Sequence, residues 1–227
     1  MGPVQAKKKT GKRGTSPLAV FLIALAIAAL SLGGWIAWSY WGSNVLAQRA
    51  AADELAGVRT AIAEATPTVI ETDEAPQVAR PATGAAAWIV RIPSIGLEAP
   101  VIAGVEPSDL GRGLGWYPGT SLPGQAGNFA LAGNRVTGGA FLRDVMSLAA
   151  GDQVIIETPE ATFTYTLTVA PADLTVASDD SWVLDPVPGH VDVVPTQAFL
   201  TLTTAEDLVP TGDRSVGFGT LTKTETP

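Results

Sequence analysis

Cysteine is absent from this chain of 227 residues. Its absence excludes a disulfide framework, a thiolate metal site and a cysteine nucleophile. Histidine occurs once, at His190, which excludes a cluster of histidine metal ligands and argues against a Ser-His-Asp triad. Clustered cations are missing from all but the first 16 residues, where Lys7, Lys8, Lys9, Lys12 and Arg13 stand without an acid. The remaining nine basic and 22 acidic residues leave the body of the chain at a net −13. Nucleic acid is therefore not the expected partner, because phosphate binding needs grouped Lys and Arg. No compact Asp-x-Asp-x-Asp-Gly loop is present either. Calcium through Asp179, Asp180, Asp185, Asp192, Glu157 or Glu160 is weighed against a solvated acidic rim, and no cofactor is expected.

What the chain does have is one long uncharged run, residues 18–41 (LAVFLIALAIAALSLGGWIAWSYW). As a helix it would extend about 36 Å, enough for a bilayer core of about 30 Å. Trp35, Trp38, Tyr40 and Trp41 gather at its far end, where an interfacial aromatic belt sits. The basic head predicts a cytoplasmic N-terminus and an extracytoplasmic body, a single-pass cell-membrane protein. A cleaved signal peptide is the rival reading, with Val45-Leu46-Ala47 as its small-residue site, but the apolar run exceeds a signal h-region.

Five regions are expected. Residues 1–16 form a basic tail and 17–41 a transmembrane helix. Residues 42–87 are a stalk and linker: 42–65 are Ala-rich and predicted as an exposed helix, and 66–87, with Pro67, Pro76 and Pro81, as a flexible or extended connection. From Trp88 the texture changes to short β runs punctuated by Gly and Pro, and residues 88–222 are expected to form the folded domain, with 223–227 as a tail. Predicted strands are Trp88–Ile92, Ala99–Ile102, Phe129–Ala132, Gln153–Glu157, Thr162–Val169, Ala198–Thr204 and Ser215–Leu221. The run Thr162–Val169 alternates hydroxyl and apolar residues, as a half-buried strand does. Ala140–Leu148 is predicted as the one helix of the domain. Turn signals every 8–12 residues point to an all-β barrel or sandwich.

Several segments follow one another in a recognisable order: Arg91-Ile92-Pro93-Ser94-Ile95-Gly96-Leu97, Gly113-Leu114-Gly115-Trp116-Tyr117-Pro118-Gly119-Thr120, Leu122–Asn128, Ala140–Asp144, Leu148–Asp152, Trp182–Pro186 and Leu200–Thr204. With them residues 88–222 resemble the sortase domain, and look most like the class E sortases of high-GC Gram-positive bacteria. The resemblance implies an eight-stranded β-barrel and the machinery of a cysteine transpeptidase. In that machinery a Cys attacks a sorting signal, a His protonates the leaving amine and an Arg stabilises the oxyanion.

The same resemblance aligns Asn134 of Gly133-Asn134-Arg135 with the family His, and Ala205 of Thr201-Leu202-Thr203-Thr204-Ala205 with the family Cys. Arg214 is retained. An amide has no useful pKa for proton transfer and a methyl is no nucleophile. Glu206-Asp207 and Gly138-Gly139 also depart from the family pattern, so recognition of the sorting signal is affected as well. The chain is thus expected to be a pseudoenzyme at the cell surface, a binding or scaffold module for sorting-signal peptides, an active sortase or other cell-wall and envelope proteins. Arg214, Thr204, Asn134 and Ala205 are the peptide-binding candidates. The alternative is a transpeptidase or hydrolase with residual activity through Thr203, Thr204 or His190. Arg214 could equally be a rim residue paired with Asp213 or Glu206, and Trp116 and Tyr117 are expected to pack in the core or at the barrel end.

Overall fold

A computed structural model describes residues 16–65, 76–205 and 211–226. Helix α1 (Pro17–Ala37) starts where Ser16 Oγ accepts the Ala19 N–H, with Pro17 in the first helical position. None of its residues is buried, as suits a helix that is apolar on every side. Five residues of π-helix, Trp38–Gly42, precede helix α2 (Ser43–Glu64). The helical stretch Pro17–Glu64 contains a segment long and apolar enough to cross a membrane.

Helix α2 is not the exposed stalk expected of its composition. Asn44, Ala47, Ala51 and Val58 fall on one face and are buried. That narrow stripe of small side chains lets the helix approach the first two strands of the folded domain closely. Arg59 pairs with Glu98, and Glu54 with Arg112, at its edges. Such partly exposed pairs add little, so the burial of the stripe holds the helix. The segment from Pro76 also packs: Val78 is buried in the main core, and Arg80 lies over the Trp116 ring at 5.3 Å. Residues 66–75 of the predicted linker lie outside the described residues.

The domain is built from β1 (Ala86–Ile92), β2 (Leu97–Ala103), a short helix α3 (Pro107–Leu110), β3 (Leu114–Trp116), β4 (Gly127–Gly133), β5 (Gln153–Glu157), β6 (Thr162–Val169), β7 (Thr175–Ala177), β8 (Ala198–Ala205) and β9 (Asp213–Glu225). The strands run in the order β6-β5-β1-β2-β3-β4-β8-β9, and β9 pairs back onto β6. This closes an eight-stranded barrel. Strand β7 is a ninth, attached to β9 beside the β6 pairing. Pairs β2–β3 and β4–β8 are parallel and the rest antiparallel. Closure removes free sheet edges, so the short β7 carries what edge the described strands leave.

Inside the barrel, Trp88, Trp116, Phe129, Phe163 and Tyr165 are almost completely buried. Trp88 meets Trp116 and Phe129 edge-on, at 5.4 and 5.7 Å. The Tyr165 hydroxyl accepts the Gly124 N–H at 2.8 Å. Gly124 itself sits at φ 77°, and a Cβ there would lie 2.1 Å from the Phe163 ring. A second, smaller cluster lies on the outer side of β8 and β9: Val176, Val183 and Val216, with Leu174, Trp182, Leu184 and Phe218 packed on them.

The predicted helix Ala140–Leu148 does not form. Gly138, Gly139 and Ala140 all have positive φ, and turns lead instead to a 3-10 segment, Val145–Ser147. Its apolar residues Leu142, Val145 and Leu148 still reach the core. Their spacing is shared by a helical face and by a turn that crosses a barrel end, so the period alone misled.

Candidate active site at the ends of β4, β8 and β9

Alternation along the strands fixes two faces. Trp116, Leu131, Leu202 and Gly217 stand in register across β3, β4, β8 and β9 and face the barrel interior. One residue away, the row Gly115, Ala132, Thr203 and Val216 faces outward, as does the row of Ala130, Thr201 and Phe218, with Tyr117 beside Ala130. On β4 and β8 the outward side chains are small or carry a hydroxyl, and Ala130, Ala132, Thr201 and Thr203 are all buried. Asn128 Nδ2 donates to the carbonyls of Val183 and Asp185 at 2.9 and 3.1 Å. Thr201 Oγ1 lies 2.8 Å from Asn128 Oδ1 and 3.0 Å from the Val183 carbonyl. These bonds fasten the 181–185 segment over β4 and β8. Sequence reasoning missed Asn128, because an Asn inside an apolar strand gives no sign of its distant partner.

At one end of these strands the singled-out positions meet. Gly133 pairs with Thr204, so Asn134 and Ala205 each lie one residue past that pair. Ala205 is in register with Arg214 on β9, and Arg214 with Val176 on β7. Asn134, Ala205 and Arg214, far apart in sequence, thus gather at one barrel end. Arg214 forms no ion pair with Asp213, and Glu206 lies outside the described residues.

The Asn134 amide is already engaged. Its Nδ2 donates to the carbonyl of Leu110 at 3.2 Å and to that of Gly138 at 3.1 Å. It thereby joins α3 to the turn after β4. Thr204 is buried with its hydroxyl donating to the Gly133 carbonyl at 2.7 Å, on the inner side of the sheet. Thr203, outward, is buried, and so is Ser215 opposite Thr204; neither hydroxyl has a partner among the described residues. His190 is exposed in the turn Val187–Val193, not brought to this end by any bond to it. Neither threonine has an imidazole or carboxylate as hydrogen-bond partner, so nothing in the described residues activates a hydroxyl nucleophile.

Tyr117 joins the site from β3. Burial pushes its phenol pKa above the ordinary value, and the positive charge of Arg214 opposes that rise. Both groups therefore act on the same region. The alternation Leu114-Gly115-Trp116-Tyr117 carried the signal: Trp116 belongs to the core, and its neighbour must face out.

Among the described residues, no three His, Asp or Glu side chains converge on a metal position. Glu157 pairs with Arg91, Glu160 accepts the Ala79 N–H, and Asp180 accepts the Ala177 N–H.

A closed eight-stranded barrel, with its functional positions at the adjoining ends of a parallel strand pair and an N-terminal apolar helix, describes one class of proteins. The sortase domain profile matches residues 90–222, and the chain belongs to the sortase family. Sortase D of Bacillus subtilis is 36% identical over 104 residues, covering 45% of this chain and 51% of that protein. The chain spans about half or less of the length of the curated relatives it matches. The solved structure of sortase E from Streptomyces avermitilis is 32% identical, with a TM-score of 0.58, covering 64% of this chain and 93% of the other. That of sortase E1 from Streptomyces coelicolor, with a tripeptide in the active site, is 27% identical, with a TM-score of 0.56, covering 64% of this chain and 94% of the other.

Proposed function

We propose that this sortase-family chain is a membrane-anchored, catalytically silent binding module, which holds a sorting-signal-like peptide at the barrel end where Asn134, Ala205 and Arg214 meet. One observation carries the reading. The end of the barrel where Asn134, Ala205 and Arg214 meet offers a guanidinium but neither thiol nor imidazole. Acyl transfer there would lack both nucleophile and proton donor, and losing such groups costs several orders of magnitude in rate. Binding draws on other contacts and survives their loss. Arg214 and the half-buried Tyr117 supply a charge and a phenol for a peptide. The tripeptide in the active site of sortase E1 is consistent with a peptide in this position. Asn134 contributes by shaping the wall, since its amide nitrogen is committed to Leu110 and Gly138.

The α1 helix anchors the chain, with the basic head in the cytoplasm and the barrel outside. The residual-hydrolase alternative loses support, because the Thr204 hydroxyl is bound to Gly133 and His190 stands apart.

Calorimetric titration of the full chain in detergent with LPxTG- and LAxTG-type peptides, each checked for cleavage by mass spectrometry, tests this reading. Saturable binding without cleavage, weakened by Arg214→Ala, is expected. Cleavage that disappears with Thr204→Ala or His190→Ala would establish the hydrolase instead. Absence of binding would move the function to the outer surface and to a partner such as an active sortase.

A further inference from the structure

An open cavity of about 410 Å³ lies on the barrel unit, lined by Tyr40, Trp41, Arg135, Val136 and Arg143, of which Arg135 directly follows Asn134. Its charge is out of character with the rest of the molecule. Beyond the basic head the chain carries 22 acids and nine cations, yet among the described residues two of those cations line this cavity and no acid does. Neither arginine forms an ion pair among the described residues, although Asp144 directly follows Arg143. Arg135 Nη1 is buried and finds no acceptor among the described residues. A buried guanidinium N–H left unmatched is costly, and an oxyanion is the group that matches it.

The cavity wall is held in place rather than loose. Asn44 Nδ2 donates to the Val136 carbonyl at 3.0 Å and to the Tyr40 carbonyl at 2.8 Å, and Asn44 Oδ1 accepts the Gly139 N–H at 2.9 Å. One buried side chain thereby ties the aromatic pair to the turn that carries Arg135. Tyr40 and Trp41 are 40% and 70% exposed. They are also the last residues of the apolar run, so chain connectivity alone keeps them at the level of lipid headgroups if that run spans a bilayer.

We propose that this cavity binds the phosphate of an anionic phospholipid headgroup. The two guanidiniums receive the phosphate oxygens in fork geometry, and the Tyr40 and Trp41 rings pack beside the glycerol and upper acyl region. The headgroup then does for Arg135 what no protein acceptor does.

The test uses the full chain in nanodiscs of phosphatidylcholine, with or without phosphatidylglycerol. Lys7, Lys8, Lys9, Lys12 and Arg13 are changed to Gln in every sample, because the basic head attracts anionic lipid on its own. Native mass spectrometry reads which lipids stay bound. Phosphatidylglycerol is expected to be retained over phosphatidylcholine by roughly thirtyfold, as two surface cations imply. The preference should fall to roughly fivefold with Arg143→Gln and vanish with R135Q/R143Q. Arg143 is exposed, so its single variant folds and gives a reading even if the double variant does not. A preference unchanged in Arg143→Gln overturns the proposal. So does a rise in unfolding temperature in pure phosphatidylcholine discs, on adding inorganic phosphate, as large as phosphatidylglycerol gives, because the site would then serve soluble phosphate.

Discussion

The two faces of the β3–β4–β8–β9 sheet are buried to nearly the same degree by opposite means. The inner face fills its space with large side chains, Trp116, Phe129, Leu131, Leu200 and Leu202, each at most 1% exposed. The outer face has Ala130, Ala132, Thr201 and Thr203, also nearly inaccessible, under a second layer formed by Leu174, Trp182, Val183 and Leu184. Packing on the inner face is shape against shape. On the outer face it depends on hydrogen bonds through Asn128 and Thr201, and it leaves the Thr203 hydroxyl unmatched. The difference separates a layer held by shape from one held by a few placed hydrogen bonds.

Four measurements would break or sharpen this contrast. The largest effect is expected from adding chemistry to the outer end. Asn134→His combined with Ala205→Cys should produce thiol-dependent cleavage of an LAxTG-type peptide, on the order of 10³-fold above either single variant. No gain would mean that the outer face has changed its shape as well as its reactive groups. Next is Leu202→Ala on the inner face, expected to cost about 2–5 kcal/mol in denaturant unfolding, because a fully buried side chain leaves a cavity.

Tyr165→Phe is expected to cost about 1–3 kcal/mol at neutral pH by leaving the Gly124 N–H without its acceptor. It should also change the alkaline limb. Burial raises the Tyr165 pKa well above the ordinary phenol value near 10, so the folded state resists ionisation that the unfolded state allows. Stability is therefore full below pH about 10 and is lost as pH rises beyond it. Urea unfolding from pH 8 to 11 should show a shallower decline in the Phe variant; parallel declines would remove Tyr165 as the source. The smallest effect is expected from Thr203→Val. Removing a buried hydroxyl that has no partner should change stability by under about 0.5 kcal/mol, or raise it slightly. A loss of more than about 1 kcal/mol would reveal a bond that Thr203 makes in solution.

Much of the barrel was legible because its strands announce themselves. Gln153–Glu157 and Thr162–Val169 begin and end where β propensity and alternation place them. Strands β3 and β7, three residues each, are too short to show a period, and they passed unseen. Helix α2 looked solvent-exposed because its buried stripe is mostly alanine and asparagine, which a hydrophobicity pattern barely registers. The meeting of Asn134, Ala205 and Arg214 came only from family resemblance, since no local pattern says that β4 and β8 are neighbours. The cavity of Arg135 and Arg143 left no mark at all, since eight positions in sequence separate its two cations and the aromatic pair is nearly a hundred residues away.

The parallel pairing of β4 with β8 sets the order in which this molecule can be completed. Gly133 and Thr204 touch although 71 positions separate them in sequence. Closing a loop of that length costs on the order of 4 kcal/mol in chain entropy before any contact rewards it. Hairpin neighbours such as β1–β2 and β5–β6 have no such delay, so they form early while β4 waits with one apolar edge open. A chain emerging N-terminus first exposes Gly127–Gly133 until β8 and β9 have followed. That edge is the point at which aggregation competes with folding, and the strands that relieve it are the ones that carry Ala205 and Arg214 into place.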